Sequence, residues 1–80
     1  MNIGVFGLGY VGVVNVACLS GPGRKVYCTD VKSYKMDMIN KGMSPIHEPE
    51  VNELIYKGIM NGTIITESNV RKVIQECDIL

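Results

Sequence analysis

Eighty residues are enough for one small domain, and a chain of that size buries only about 60% of its unfolded surface, so its margin of stability is narrow. Apolar residues make up 46% and charged residues 20%, the balance of an ordinary soluble globular protein. Eight basic residues offset eight acidic ones and are scattered along the chain, which excludes the net field that draws proteins to nucleic acid or anionic lipid.

Cys18, Cys28 and Cys77 form no CxxC and no metal-ligand spacing with the single histidine, His47, so no metal site is predicted. An odd number of thiols fits a reducing cytoplasm, with each acting as a small buried apolar group. None stands beside an activating base, and no nucleophilic role is assigned. Residues 3–19 are apolar, but Gly4, Gly7, Gly9, Gly12 and Asn15 interrupt them. With no basic leader and no Ala-x-Ala cleavage site, the stretch reads as strand, glycine turn and helix rather than signal peptide or membrane span.

In chain order, Asn2–Phe6 is a short run with β-branched residues, suited to a central parallel strand. Residues 11–20 form a helix largely covered by Val13, Val14, Val16, Ala17 and Leu19, with Cys18 expected to face the core. Gly21, Pro22 and Gly23 stop it. Lys25–Thr29 is a second strand, with Val26 and Cys28 on one face and Tyr27 on the other. Ser33–Asn40 is a helix striped by Tyr34, Met38 and Lys41 and flanked by Met36 and Ile39, ending at Lys41-Gly42. Residues 43–50, with Pro45 and Pro49, form an ordered loop.

Val51, Leu54, Ile55 and Ile59 then give residues 51–60 the spacing of an amphipathic helix, broken by Asn61-Gly62. Residues 63–66 are a third strand. Residues 68–75 are a helix with Ser68 as its N-cap. Residues 77–80 open a fourth strand, inside which the chain stops. The order β-α-β-α-α-β-α-β predicts an α/β fold with a parallel sheet and right-handed crossovers, a Rossmann type truncated at the fourth strand. Residues 1–80 are then expected to be the opening part of a dinucleotide-binding domain.

The chemical signal is Gly7-Leu8-Gly9-Tyr10-Val11-Gly12, a GxGxxG loop. It follows an apolar strand, opens a helix, and precedes an acidic residue at the end of the next strand, which is the context that gives the pattern meaning. Gly7 permits the tight turn, Gly9 lets the backbone approach a pyrophosphate, and Gly12 lets the helix lie close to the strands. The helix beginning near Tyr10 aims free N–H groups and its positive dipole end at the phosphates. Asp30 follows Gly12 by 18 residues and can accept the ribose 2′- and 3′-hydroxyls, while its charge repels a 2′-phosphate. NAD is therefore the predicted cofactor. Taken alone, Asp30 has a second, less favoured reading as a cap for the helix at Ser33, and Lys35 fits either a ribose contact or a solvated surface lysine.

The run Phe6-Gly-Leu-Gly-Tyr-Val-Gly12 and the loop Asn40-Lys-Gly-Met-Ser-Pro-Ile-His-Glu-Pro49 together resemble the UDP-glucose/GDP-mannose 6-dehydrogenase family, over essentially all 80 residues. The resemblance implies oxidation of the C6 alcohol of a sugar nucleotide to a carboxylate with two NAD, through a cysteine-bound intermediate. It implies that Tyr10 and Val11 touch the pyrophosphate through their backbone and that Asp30 and Lys35 bind the adenosine ribose. The catalytic and sugar-nucleotide domains are expected outside these residues, and no cysteine here matches the family nucleophile. A homodimer or larger parent in the cytoplasm is implied, with a sugar-nucleotide substrate and neither nucleic-acid nor membrane partner. Glu50 stands where the family usually has glycine, and Arg24 where it usually has histidine. His47 and Glu48 are read as loop residues. Two other readings are an NAD(H)-sensing module without chemistry and a β-hydroxyacid dehydrogenase, although the latter typically has methionine where Val11 stands.

Overall fold

Alternating short apolar strands with helices forces the strands to run parallel, because each helix returns the chain to the end where the next strand begins. The structure, a computed structural model, describes residues 1–80 and has this arrangement. In order the elements are β1 (Asn2–Phe6), α1 (Tyr10–Leu19), β2 (Lys25–Thr29), α2 (Ser33–Asn40), α3 (Pro49–Asn61), β3 (Ile64–Thr66) and α4 (Val70–Glu76). The sheet order is β1-β2-β3, all parallel, with Ile3 opposite Val26 and Val26 opposite Ile64.

Ile3, Val26, Cys28 and Ile64 turn one face of the sheet toward Val13, Val16 and Ala17 of α1, Met36 and Ile39 of α2 and Ile55 of α3. Alternation along β1 puts Gly4 on the other face, where Val73 of α4, Cys77 and Leu80 crowd it. The core is thus thick on one side and thin on the other. Burial pushes the Cys28 thiol up to about 12, so it packs as an uncharged apolar group. No helix is long and apolar enough to cross a membrane.

Several boundaries differ from the sequence reading. α1 begins at Tyr10 and α3 at Pro49, because Gly9 and Glu48 take the N-cap positions without a side-chain hydrogen bond. Proline suits the first helical position, where an N–H would have no intrahelical partner. The cap of α4 is Asn69, whose side chain accepts the Lys72 amide, and Ser68 lies one residue before that cap. Glu67 Oε2 accepts the Asn69 amide at 2.9 Å, which lengthens the turn out of β3.

Cys18 is exposed, on the solvent side of α1, because Val13, Val16 and Ala17 supply the stripe that meets the core. In α2 the buried residues are Met36 and Ile39; Tyr34 and Lys41 are exposed, which shifts the inner stripe from the one expected. Leu54 is likewise exposed on α3, while Gly58 is buried against Ile64. Gly62 ends α3 in the left-handed region at φ 75°.

The fourth strand shortens to a single parallel bridge between Ile79 and Ile3. α4 runs on to Glu76, and the Asp78 carboxylate, rather than a strand carbonyl, takes the Asn2 amide at 2.9 Å. The Gly4 amide still donates to the Ile79 carbonyl at 2.7 Å, on the edge of β1 opposite β2. The polypeptide therefore crosses from β3 over the sheet to the far side of β1. That reversal of direction leaves a crevice at the carboxyl ends of the strands, the place where open α/β sheets take ligands.

Candidate functional site

β1 and β2 end side by side, and everything predicted for the site grows from those two ends. Past the last paired residues, the Gly7 amide donates to the Thr29 carbonyl at 2.9 Å, carrying the ladder one step further. Gly7 has φ 93°, a conformation open to glycine but costly for other residues, and it turns the chain out of the strand. Leu8 then drives its side chain into the core, where it is 1% exposed. Gly9 has extended backbone angles, and a Cβ built on it meets nothing within 4 Å. Tyr10 and Val11 follow on the first turn of α1, both exposed.

Gly12 behaves differently. A Cβ at this position would run into the carbonyl oxygen of Gly7, with Val5 just behind it. The helix lies on the loop it starts from, and only hydrogen fits between them.

Asp30 stands at the tip of β2, half-buried. Its Oδ2 accepts the Leu8 amide at 2.6 Å and its Oδ1 accepts the Lys32 amide at 2.7 Å. These two backbone donors, above all Leu8, hold the carboxyl below the usual carboxylate range, with smaller help from the positive charges of Lys35 and Lys32. The carboxylate thus serves both as the turn cap considered from sequence and as a tie to the glycine loop. Each oxygen accepts one of these bonds and keeps capacity for another. Lys35 lies on the first turn of α2, near enough to act on Asp30 electrostatically without forming an ion pair.

The lowered pKa has a stability consequence. A carboxylate depressed on folding contributes fully above its unfolded value, about 3.9, and that contribution is lost as pH falls through the folded value. Wild type should exceed Asp30→Asn in urea midpoint at neutral pH, with the gap closing below about pH 4. A gap that stays constant through that range contradicts the assignment.

One residue stands beside the site without a sequence warning. Val31 is 100% exposed beside Asp30, an apolar residue with no core partner in a turn that has no need of it. The phenol of Tyr10 approaches the Glu48 carboxylate at 3.5 Å, so the loop before α3 reaches the beginning of α1. That loop is ordered from within: Ser44 donates its amide to Asn52 Oδ1 at 2.7 Å, and its hydroxyl accepts the Ile46 amide at 3.1 Å. His47 and Glu48 are both exposed loop residues. Glu50 lies in the first turn of α3, where its charge favours the helix and no glycine turn is required. Arg24 donates through Nε to the Leu19 carbonyl at 2.8 Å and so caps the end of α1.

Two open crevices flank these elements. One, of about 480 Å³, runs along β1 from Gly7, Val11 and Gly12 to Ile79 and Leu80. The other, of about 540 Å³, is lined by the 43–49 loop together with Met38 and Asn52.

This arrangement has known counterparts. The model of the UDP-glucose/GDP-mannose dehydrogenase family, NAD binding domain, matches residues 1–80. A GDP-mannose 6-dehydrogenase of Azotobacter vinelandii is 46% identical over 74 residues, covering 92% of this chain and 17% of that protein. A UDP-glucose 6-dehydrogenase of Bacillus subtilis is 41% identical over 80 residues, covering 100% of this chain and 18% of that protein. Among solved structures, a ternary complex of GDP-mannose dehydrogenase from Pseudomonas aeruginosa superposes with a TM-score of 0.92 at 41% identity, covering 100% of this chain and 19% of that one. The chain therefore spans less than a fifth of the length of these relatives. From its first strand to Leu80, it belongs to the UDP-glucose/GDP-mannose dehydrogenase family and corresponds to that family's NAD-binding domain.

Proposed function

We propose that these 80 residues hold the ADP half of NAD within a nucleotide-sugar 6-dehydrogenase, with Gly7, Gly9, Tyr10, Val11, Gly12, Asp30 and Lys35 as the cofactor-binding residues. One observation carries the reading. The Asp30 carboxylate lies one hydrogen bond, 2.6 Å, from the backbone of the glycine loop, so a ribose acceptor and a diphosphate cradle form one continuous surface.

The residues fit that group. Open space at Gly9 leaves the helix N-terminus accessible to an anion, and the first-turn amides of α1 lack intrahelical acceptors. The spare lone pairs of Asp30 suit two vicinal hydroxyls, and its negative charge disfavours a 2′-phosphate there. Lys35, whose charge acts on Asp30, would supply a hydrogen-bond donor to the same ribose. Val31, fully exposed next to Asp30, would offer an apolar surface to the adenine.

When bound, NAD supplies the hydride acceptor. In the parent enzyme the reaction is oxidation of the C6 alcohol of UDP-glucose or GDP-mannose to the uronic acid, with two NAD consumed. The catalytic and sugar-nucleotide domains, the homo-oligomer contacts and the cytoplasmic setting belong to this reading of the parent. Residues 1–80 alone are expected to oxidise no sugar nucleotide.

The test is NADH titration by fluorescence, comparing wild type with Asp30→Ala. Loss of charge-assisted hydrogen bonds worth about 2 kcal/mol predicts about 30-fold weaker binding. Unchanged affinity would defeat the ribose assignment.

A further inference from the structure

We propose that Asp30 is also a positioning residue for the diphosphate: by taking the Leu8 amide, its carboxylate holds the glycine loop in binding form before any nucleotide arrives. This rests on the cofactor reading above and adds a second role to a residue already placed at the ribose.

The loop needs such an anchor. Leu8 stands between Gly7 and Gly9, and glycine loses more backbone freedom on ordering than any other residue. Left to themselves, two glycines around one residue would make the approach to α1 a mobile stretch. Three contacts prevent that. The Gly7 amide is fixed on Thr29, the Leu8 amide on Asp30, and the Leu8 side chain in the core. Both acceptors come from consecutive residues at the end of β2, so the second strand sets the shape of the loop after the first.

Beyond Leu8 the anchoring of amides stops. Gly9 is held only through its carbonyl, which accepts the Val13 amide at 2.9 Å, and nothing stands near its Cβ position. Leu8 is thus the last residue whose amide is tied down before the amides proposed to face the diphosphate. The same carboxylate takes the Lys32 amide, fixing the turn that presents Val31. One charged group therefore pre-forms both halves of the ADP site, and a site ordered in advance binds more tightly because less is ordered on binding.

The sign of the effect separates this role from simple charge. A carboxylate close to a diphosphate repels it, so removing Asp30 would tighten diphosphate binding if charge alone mattered. A latch requires the opposite.

The experiment compares ADP with 2′,3′-dideoxy-ADP, which keeps the diphosphate and lacks both ribose hydroxyls, on wild type, Asp30→Ala and Asp30→Asn of the full chain. Amide hydrogen exchange at Leu8 is followed without nucleotide. Asp30→Ala is expected to weaken ADP about 30-fold and dideoxy-ADP about fivefold, a factor equivalent to about 1 kcal/mol. The Leu8 amide, protected in wild type, should exchange as an open amide in Asp30→Ala. In Asp30→Asn, one carbonyl oxygen can serve only one of the two amides, and intermediate values are expected for both measurements; this variant carries the test if Asp30→Ala does not fold. Dideoxy-ADP binding that is unchanged or tighter, or undiminished Leu8 protection, overturns the latch while leaving the ribose contact standing. Equal ADP affinity in wild type and Asp30→Ala overturns the cofactor reading itself.

Discussion

Gly12→Ala is expected to destabilise the fold by about 3 kcal/mol and to abolish measurable NADH binding. The added methyl would collide with the Gly7 carbonyl oxygen, a backbone atom that cannot rotate away as a side chain can. Relief requires α1 to lift from β1 or Gly7 to leave its turn. Either movement breaks the Gly7–Thr29 and Leu8–Asp30 hydrogen bonds that shape the loop. For a domain of this length, the loss corresponds to a fall in Tm of about 12–24 °C. Thermal unfolding followed by circular dichroism measures it, and a variant that melts within about 3 °C of wild type contradicts the packing described.

Gly9→Val tests the same loop from outside. Nothing lies within 4 Å of a Cβ at Gly9, and its backbone angles suit any residue, so the variant should fold with nearly unchanged Tm. Its branched side chain would occupy the space before the first turn of α1, where the proposed diphosphate would approach the amides. NADH affinity should fall by about 100-fold, the equivalent of about 2.7 kcal/mol. Two glycines three residues apart are thus predicted to fail differently, Gly12 through the fold and Gly9 through the ligand. A Gly9→Val protein that binds NADH normally means the diphosphate does not pass over that position.

The spacing of apolar residues located β1, β2 and α2 to the residue, because their ends coincide with glycine, proline or charged turns. α1 and α3 start earlier than their apolar periodicity because Gly9 and Glu48 cap them through position alone and leave no side-chain signature. Cys18 reads as apolar, yet only three-dimensional crowding by Val13, Val16 and Ala17 decides which side of α1 is wet. Residues 77–80 look like a strand by composition, and the carboxylate of Asp78 takes the pairing position that periodicity gave to the backbone.

The proposed site divides in the same way. Gly7, Gly9, Gly12 and Asp30 were legible because each serves a local rule about turns, close approach or charge at a strand end. The Leu8–Asp30 bond was not, since it joins residues 22 apart and depends on how closely the ends of β1 and β2 lie. Nor was the approach of Tyr10 to Glu48, across 38 residues. Val31 was not legible either, since only its full exposure separates this apolar residue from the core.

The central claim is most directly tested by titrating isotope-labelled protein with ADP and mapping the backbone amide shifts. The largest changes are expected at residues 8–13 and 30–35, around the glycine loop and Asp30. Shifts concentrated instead at residues 38–52, around the crevice that the 43–49 loop lines, would contradict it.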